Sequence, residues 1–234
     1  MTPEILSIIP AKGVSHGLPG KNLRLLADKP LVQWTIESSL QCSGVRRTIV
    51  SSDSHEILGL AEEVGAEVVE RPRELASDTA SSESVVEHVL DFLRLRDNYE
   101  PEAFILLQPT SPLRTSGHIE GALMLYLSGS CTAVISGYEL ERSPLKEFLI
   151  GEDGKLGAIL DDRHPFLPRQ QLPRAFRPNG AIYIVKTELF KRSGSLLTDQ
   201  TAPFYMDEKL SIDIDTIQDM VDAEECLMRV PVES

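Results

Sequence analysis

Apolar residues fall in short runs that alternate with stretches of helical spacing. Ile5–Ile9 (ILSII) is almost wholly apolar and reads as a buried strand. Pro30–Leu40 predicts a helix with proline in its first turn. Thr48–Ser52 is a second strand. Asp53, with Glu56 three residues on, predicts a capped helix start, and Gly65 its end. Ala66–Glu70 predicts a third strand and Ser81–Leu95 an amphipathic helix. Ala103–Leu107 predicts a fourth strand, then a loop and a helix to about Ser128, and Thr132–Ser136 a fifth strand. Such alternation implies an α/β fold with a mainly parallel sheet and helices on both faces. Ligands in such sheets bind beyond the carboxyl ends of the strands, where the loops after Ile9, Glu70 and Leu107 lie.

The rhythm breaks between Tyr138 and Ala202, a stretch rich in Pro, Arg and Gly whose one strong strand is Gly180–Val185. It reads as an arm or subdomain inserted before the last strand. That last strand is predicted at Ser211–Thr216 (SIDIDT), where Ile212 and Ile214 alternate with Asp213 and Asp215. On a strand the two carboxylates share one side, roughly 6.6 Å apart. They read either as a solvated edge or as oxygen ligands for a cation. Thr216, with Asp219 three on, suits the N-cap of a final helix from Ile217 to about Met228. Asp219 then belongs to the helix start and is expected to be dispensable for chemistry.

Composition narrows the function. With 234 residues, 41% hydrophobic and 25% charged, the chain is sized for one globular domain. A net charge of −13 argues against nucleic acid or an acidic membrane as partner. No apolar run approaches the length of a membrane span. Three scattered cysteines (Cys42, Cys131, Cys226) make neither a disulfide framework nor a zinc site and point to the reducing cytoplasm.

The loop after the first strand, Pro10–Asn22 (PAKGVSHGLPGKN), joins three glycines to Lys12, Ser15, Lys21 and Asn22. Glycines let backbone N–H groups close on phosphate oxygens, and lysines neutralise them. Neither a Walker A loop nor G-x-G-x-x-G fits the spacing. Gly13–Gly17 does match G-x-S-x-G, the nucleophile elbow of serine hydrolases. Pro10 before the turn and Leu18-Pro19-Gly20 after it deny that motif its strand–turn–helix. A second polar loop, Leu107–Thr115 (LQPTSPLRT), carries Gln108 and Arg114. Arg169, Arg174 and Arg177 crowd nine residues of an acidic chain, which suits a carboxylate or phosphate, or a solvated basic patch. The five histidines show no metal-ligand spacing.

In order, the segments IPAKGVSHGLPGKN, VSSD, ERPRELASDTASS, LLQPTSPLR, PRQQLPRAFRPNGAIYI and SIDIDT resemble the N-acylneuraminate cytidylyltransferases (CMP-sialic acid synthetases) from about Ile5 to Leu227. The resemblance implies one Rossmann-like nucleotidyltransferase domain over residues 1–234, with 138–202 as an inserted dimerisation arm. It implies a cytoplasmic homodimer that transfers CMP from CTP to the anomeric hydroxyl of an acidic nine-carbon keto-sugar, with Mg²⁺ or another divalent cation. Lys12, Ser15, Lys21, Asn22, Arg71 and Ser82 would bind CTP, Lys21 at the reacting phosphate. Gln108, Lys146, Arg169, Arg177, Asn179 and Tyr183 would surround the sugar. Asp213 and Asp215 would hold the metal. Alternatives are the same reaction on legionaminic or pseudaminic acid, the eight-carbon sugar KDO, or a catalytically silent sugar-nucleotide binder. The family pattern has arginine and lysine where this chain has Lys12 and His16.

Overall fold

The computed structural model describes residues 3–15, 17–77 and 80–229. The chain opens with β1 (Ile5–Pro10), two short strands β2 (Leu25–Leu26) and β3 (Lys29–Pro30), and α1 (Leu31–Leu40). Next come β4 (Arg47–Ser52), α2 (His55–Val64), β5 (Glu67–Glu70), α3 (Ser82–Asp97), β6 (Ala103–Leu106), α4 (Ser116–Leu127) and β7 (Ala133–Glu139). A hairpin of β8 (Phe148–Ile150) and β9 (Leu156–Ala158) follows. The chain closes with β10 (Phe176–Lys186), α5 (Thr187–Ser193), β11 (Thr201–Tyr205) and α6 (Ile217–Arg229).

Seven strands form the central sheet in the order β11-β7-β10-β6-β1-β4-β5. It is mainly parallel. Only β10 runs against its neighbours β6 and β7. Alternate side chains of each central strand enter separate cores, as a period of two requires when both faces are covered. Ile5 and Ile9 of β1 pack with α1, α2 and α4, whereas Leu6 and Ile8 pack with α3 and α5. The same division splits Ile105 from Phe104 and Leu106 in β6. Among the described residues no helix is long and apolar enough to cross a membrane.

Three expectations need correction. Ser211–Asp215 is not a strand. Among the described residues it runs extended without ladder partners, and its backbone tie to the loop after β6 is Ile214 N–H donating to the Thr110 carbonyl at 2.8 Å. Its alternation survives because Ile214 is fully buried beside Leu18, Leu26, Leu31 and Ala223, with Ile212 packed against them. Hydrophobic burial under α6 therefore replaces sheet pairing in turning Asp213 and Asp215 away from that core. Second, the sheet claims part of the stretch 138–202, since β10 lies inside it and β11 at its edge. What stands outside is 140–175, closed at its neck by Leu140 N–H donating to the Ala175 carbonyl at 2.9 Å. This arm exposes Leu149, Ile150, Leu156, Leu160 and Phe166. Third, Asp53 does not cap α2. Ser54 does, its hydroxyl accepting from Ile57 N–H, and the Asp53 carboxylate instead accepts from Gly13 N–H.

Candidate active site

Loops at the carboxyl ends of β1, β5 and β6 meet the 211–215 segment around a cavity of about 310 Å³. The glycine loop is tethered at its start, where Gly13 N–H donates to Asp53 Oδ1 at 2.9 Å. A Cβ on Gly13 would sit 2.9 Å from that of Ser54, so the loop can approach α2 only without a side chain. Gly20, at φ 66°, turns the chain into a short 3₁₀ turn, Lys21–Leu23, in which Lys21 and Asn22 are buried. Lys12, Ser15, Lys21 and Asn22 all line the cavity. His16 lies outside the described residues. Among the described residues no α-helix follows Ser15 before Leu31–Leu40, which does not fit the strand–turn–helix of a serine hydrolase elbow.

Lys21 Nζ donates to the Ile214 carbonyl at 2.6 Å and to Asp215 Oδ1 at 3.0 Å. The lysine side chain is 10% exposed and that of Asp215 is 71% exposed, so one partner is fixed and the other is free to turn toward solvent. Asn22 Nδ2 donates to the Lys12 carbonyl at 2.8 Å, while its Oδ1 is buried and unpartnered among the described residues. A buried acceptor of this kind is suited to a ligand hydroxyl.

Arg71 follows β5. Its guanidinium donates to the Ser51 carbonyl at 2.7 Å and to Ser51 Oγ at 3.3 Å. Burial lowers its pKa to about 10, with the charge of Asp53 opposing. Among the described residues no carboxylate lies within ion-pairing distance of it, so a buried cation is held ready for an outside partner. Ser82 begins α3, and the preceding Ser81 caps that helix through Ser84 N–H. Leu75 and Val85 add apolar surface to the same wall, a combination suited to a planar base with polar edges.

The loop after β6 brings Gln108 and Thr110 to the cavity that Asp213 and Asp215 also line. Gly180 of β10, at φ 74°, backs onto Gln108 so closely that a Cβ would lie 2.4 Å from Oε1. Arg114, fully interior, donates to the carbonyls of Gln108 and Ala181 at 3.2 and 3.1 Å and braces that loop against β10. Asp213 as a whole reaches solvent, yet its carboxyl is crowded, and burial pushes it above the usual aspartate range. A hydrogen bond from Thr110 pulls it back, repulsion from Asp215 raises it further, and Lys21 opposes. At its other end the segment is drawn in by Asp219, whose Oδ2 accepts from the N–H groups of Asp215 at 2.9 Å and Thr216 at 2.7 Å. Asp219 stands in the first turn of α6, as expected, and is also tied to the segment that carries Asp213 and Asp215. Thr216 also fulfils the expected cap, accepting from Asp219 N–H at 3.2 Å.

Two carboxylates of like charge lining one cavity fit a hard divalent cation, which takes oxygen ligands. Among the described residues no third His, Cys, Asp or Glu completes a protein cage. That suits a cation whose remaining ligands come from phosphate and water.

One chain gathers nine of the expected residues at this cavity: the four of the glycine loop with Arg71, Ser82, Gln108, Asp213 and Asp215. Lys146, Arg169 and Arg177 are exposed on or beside the arm and do not line it. Arg177 Nη1 donates to the Tyr138 hydroxyl at 3.3 Å. Tyr183 is half-buried on β10, where burial and then the charge of Asp213 raise its phenol. Asn179 is buried with its amide engaged by protein groups. Sequence reasoning passed over Thr110 and the tether of Asp53. The second had a signal, since serine at 54 is an equally good cap and left the aspartate unassigned.

Residues 6–190 match the family model described as cytidylyltransferase. The chain is 33% identical over 219 residues to the N-acylneuraminate cytidylyltransferase of Escherichia coli O18:K1:H7, covering 94% of this chain and 51% of that protein. It therefore spans about half the length of the first curated relatives it matches. It is also 33% identical to the CMP-N,N'-diacetyllegionaminic acid synthase of Legionella pneumophila, over 91% of both chains. The solved structure of a CMP:2-keto-3-deoxy-manno-octonic acid synthetase complexed with CTP superposes with a TM-score of 0.70 over 97% of this chain and 99% of that one. At 16% identity this likeness is one of fold. Together with the glycine loop and the carboxylate pair across one cavity, these matches establish that the chain belongs to the cytidylyltransferase family.

Proposed function

We propose that the protein transfers CMP from CTP to the anomeric hydroxyl of a sialic-type nonulosonic acid, N-acetylneuraminic acid first among them, and releases pyrophosphate. The observation that carries this is buried Lys21 of the glycine loop bonded to the Ile214 carbonyl and to Asp215, with Asp213, Arg71 and Ser82 lining the same cavity. Cations, carboxylates and a partly apolar wall in one cavity suit a nucleoside triphosphate. Backbone N–H groups of the glycine loop and Lys12 cradle the phosphates. Lys21 neutralises charge that develops on the α-phosphate during attack, as a preorganised cation in a shielded site does. Arg71 and Ser82 hold the cytosine, and Asn22 Oδ1 offers an acceptor to a ribose hydroxyl. Asp213 and Asp215 would hold Mg²⁺, which when bound supplies charge neutralisation and acidifies a coordinated hydroxyl. Gln108, from the opposite loop, orients the sugar. Little covalent work falls to side chains, so positioning supplies much of the rate.

The arm completes the assembly in this proposal. Lys146, Arg169 and Arg177 stand away from their own chain's cavity, and the arm exposes several large apolar side chains among its charged ones. In a homodimer those apolar side chains are covered and the arm's cations, with Tyr183 below, serve the sugar carboxylate across the interface. The identities to both the sialic and the legionaminic enzymes leave legionaminic and pseudaminic acids as the second substrate reading. No supporting observation favours a silent binder, since both lysine and carboxylates are present.

The test is pyrophosphate release from CTP and Mg²⁺ with N-acetylneuraminic, legionaminic and pseudaminic acids and KDO, run with wild type and Asp215→Ala. The expected result is turnover with a nine-carbon acid and a loss of about 10²–10³-fold in the variant. No release with any of the sugars, or equal rates for the two proteins, overturns the assignment.

A further inference from the structure

Asn179 stands in β10 where pairing with β7 shifts register between Pro178 and Tyr183. It is 5% exposed, and its amide has no free donor or acceptor. Oδ1 accepts from Ser136 Oγ at 2.7 Å and Ala181 N–H at 3.1 Å. Nδ2 donates to Ser211 Oγ at 2.9 Å and to Met206 Sδ at 3.4 Å. An asparagine amide has two donors and two acceptor sites, and all four are used. Its main-chain carbonyl takes a further bond, from Ser111 Oγ at 3.0 Å. The network continues outward, Ser136 Oγ accepting from Ile182 N–H at 2.7 Å and Ser211 Oγ donating to the Asp207 carbonyl at 2.9 Å.

These bonds join two central strands to two neighbouring polar segments that both line the cavity. Ser111 belongs to the loop that carries Gln108 and Thr110. Ser211 opens the segment that carries Asp213 and Asp215. The loops also touch directly, through the bond from Ile214 N–H to the Thr110 carbonyl. Because Ser211–Asp215 has no sheet partners among the described residues, its place depends on these bonds at its start, on those of Lys21 and Asp219 at its end, and on burial of Ile214.

We propose that Asn179 is a positioning residue for the carboxylate pair, acting with Ser136 and Ser211, and does not touch the sugar. Contact with a ligand would require at least one of four buried hydrogen bonds to break, and an unpaired buried amide is unfavourable. The inference rests on the reading of Asp213 and Asp215 as cation ligands. Outer-shell partners of metal ligands commonly affect cation affinity by 10–100-fold.

The test compares wild type, Asn179→Ala and Ser211→Ala. The second variant leaves Asn179 in place and covers the case in which the first fails to fold. Mn²⁺ affinity of the CTP-loaded protein is read by electron paramagnetic resonance, CTP affinity without metal by calorimetry, and exchange of amide hydrogens by mass spectrometry. Mn²⁺ affinity is expected to fall about tenfold in both variants. CTP affinity stays unchanged, faster exchange is confined to residues 207–216, and the KM for sugar at saturating Mn²⁺ is unaltered. A selective rise in sugar KM for Asn179→Ala, with Mn²⁺ affinity and exchange as in wild type, overturns the proposal. Failure of wild type to bind Mn²⁺ with CTP instead overturns the reading of the carboxylates, and the exchange result alone then decides the anchoring.

Discussion

Gly180→Ala separates the geometry of the sugar side from the stability of the fold. At φ 74° an alanine costs about 1–2 kcal/mol in backbone strain. For a chain of this size that lowers Tm by about 2–8 °C. The new Cβ would stand 2.4 Å from Gln108 Oε1, whereas ordinary contact begins at 3.4 Å. The Gln108 amide must therefore retreat by about 1 Å, and misplacement on that scale lowers turnover about 10²-fold. Gly194→Ala is the control. It has φ 66° and open space around the missing Cβ, so it carries the same strain and displaces nothing. Thermal melts with pyrophosphate-release rates on both variants, and CTP titration by calorimetry, read the two effects apart. The expected pattern is equal destabilisation, intact CTP binding in both, and slow turnover in Gly180→Ala alone. If the two variants turn over alike, or if Gly180→Ala loses CTP binding as well, Gln108 is not the group that the glycine places.

Asp53→Ala frees the glycine loop from its tether while Ser54 keeps the helix cap. CTP affinity measured by calorimetry should weaken about tenfold, the worth of one hydrogen bond to a charged acceptor, with Tm near that of wild type. Asp219→Ala removes the acceptor for Asp215 and Thr216 N–H. It should lower stability by about 1 kcal/mol in urea unfolding and also reduce turnover, where a role confined to the helix would leave turnover intact. His118 accepts from Thr115 N–H through Nδ1, and burial, then Arg114, hold its pKa below 6.5. The unfolded chain thus binds this proton more readily, so the stability that neutral His118 contributes is present above pH 6.5 and is lost as pH falls through the lowered folded value. His118→Gln keeps a capping-box side chain without the titration and should flatten urea-unfolding stability across that acid range.

Much of the site was legible because the motifs sit in loops whose places follow from strand order. Once β1, β5 and β6 were recognised, their carboxyl ends had to share an edge, and Lys21, Arg71 and Gln108 came together. The direction of β10 was not legible, since a period of two is the same in both senses along a strand. Thr201–Tyr205 escaped because Pro203 argues against a strand, and the structure accommodates it at the sheet edge. The SIDID segment misled for a related reason. Alternating burial reports which side chains face the core, and α6 with Leu18 and Leu26 supplies that core as well as a sheet would. The remoteness of Lys146, Arg169 and Arg177 was invisible, because proximity in sequence to a strand end says nothing of where a projecting arm points.

The ion pair of Lys21 with Asp215 bears on the order in which ligands arrive. A bare nucleotide would draw the lysine to its phosphates and leave Asp215 facing an anion. A lone cation would take Asp215 and strand a lysine that is nine-tenths buried. A nucleotide that arrives already complexed with its cation exchanges both partners in one event, and neither charge is left alone. Under the proposed function, the resting pair would act as a filter on the form of the nucleotide, admitting the complex more readily than either component. The same exchange run backwards would favour departure of pyrophosphate together with its cation.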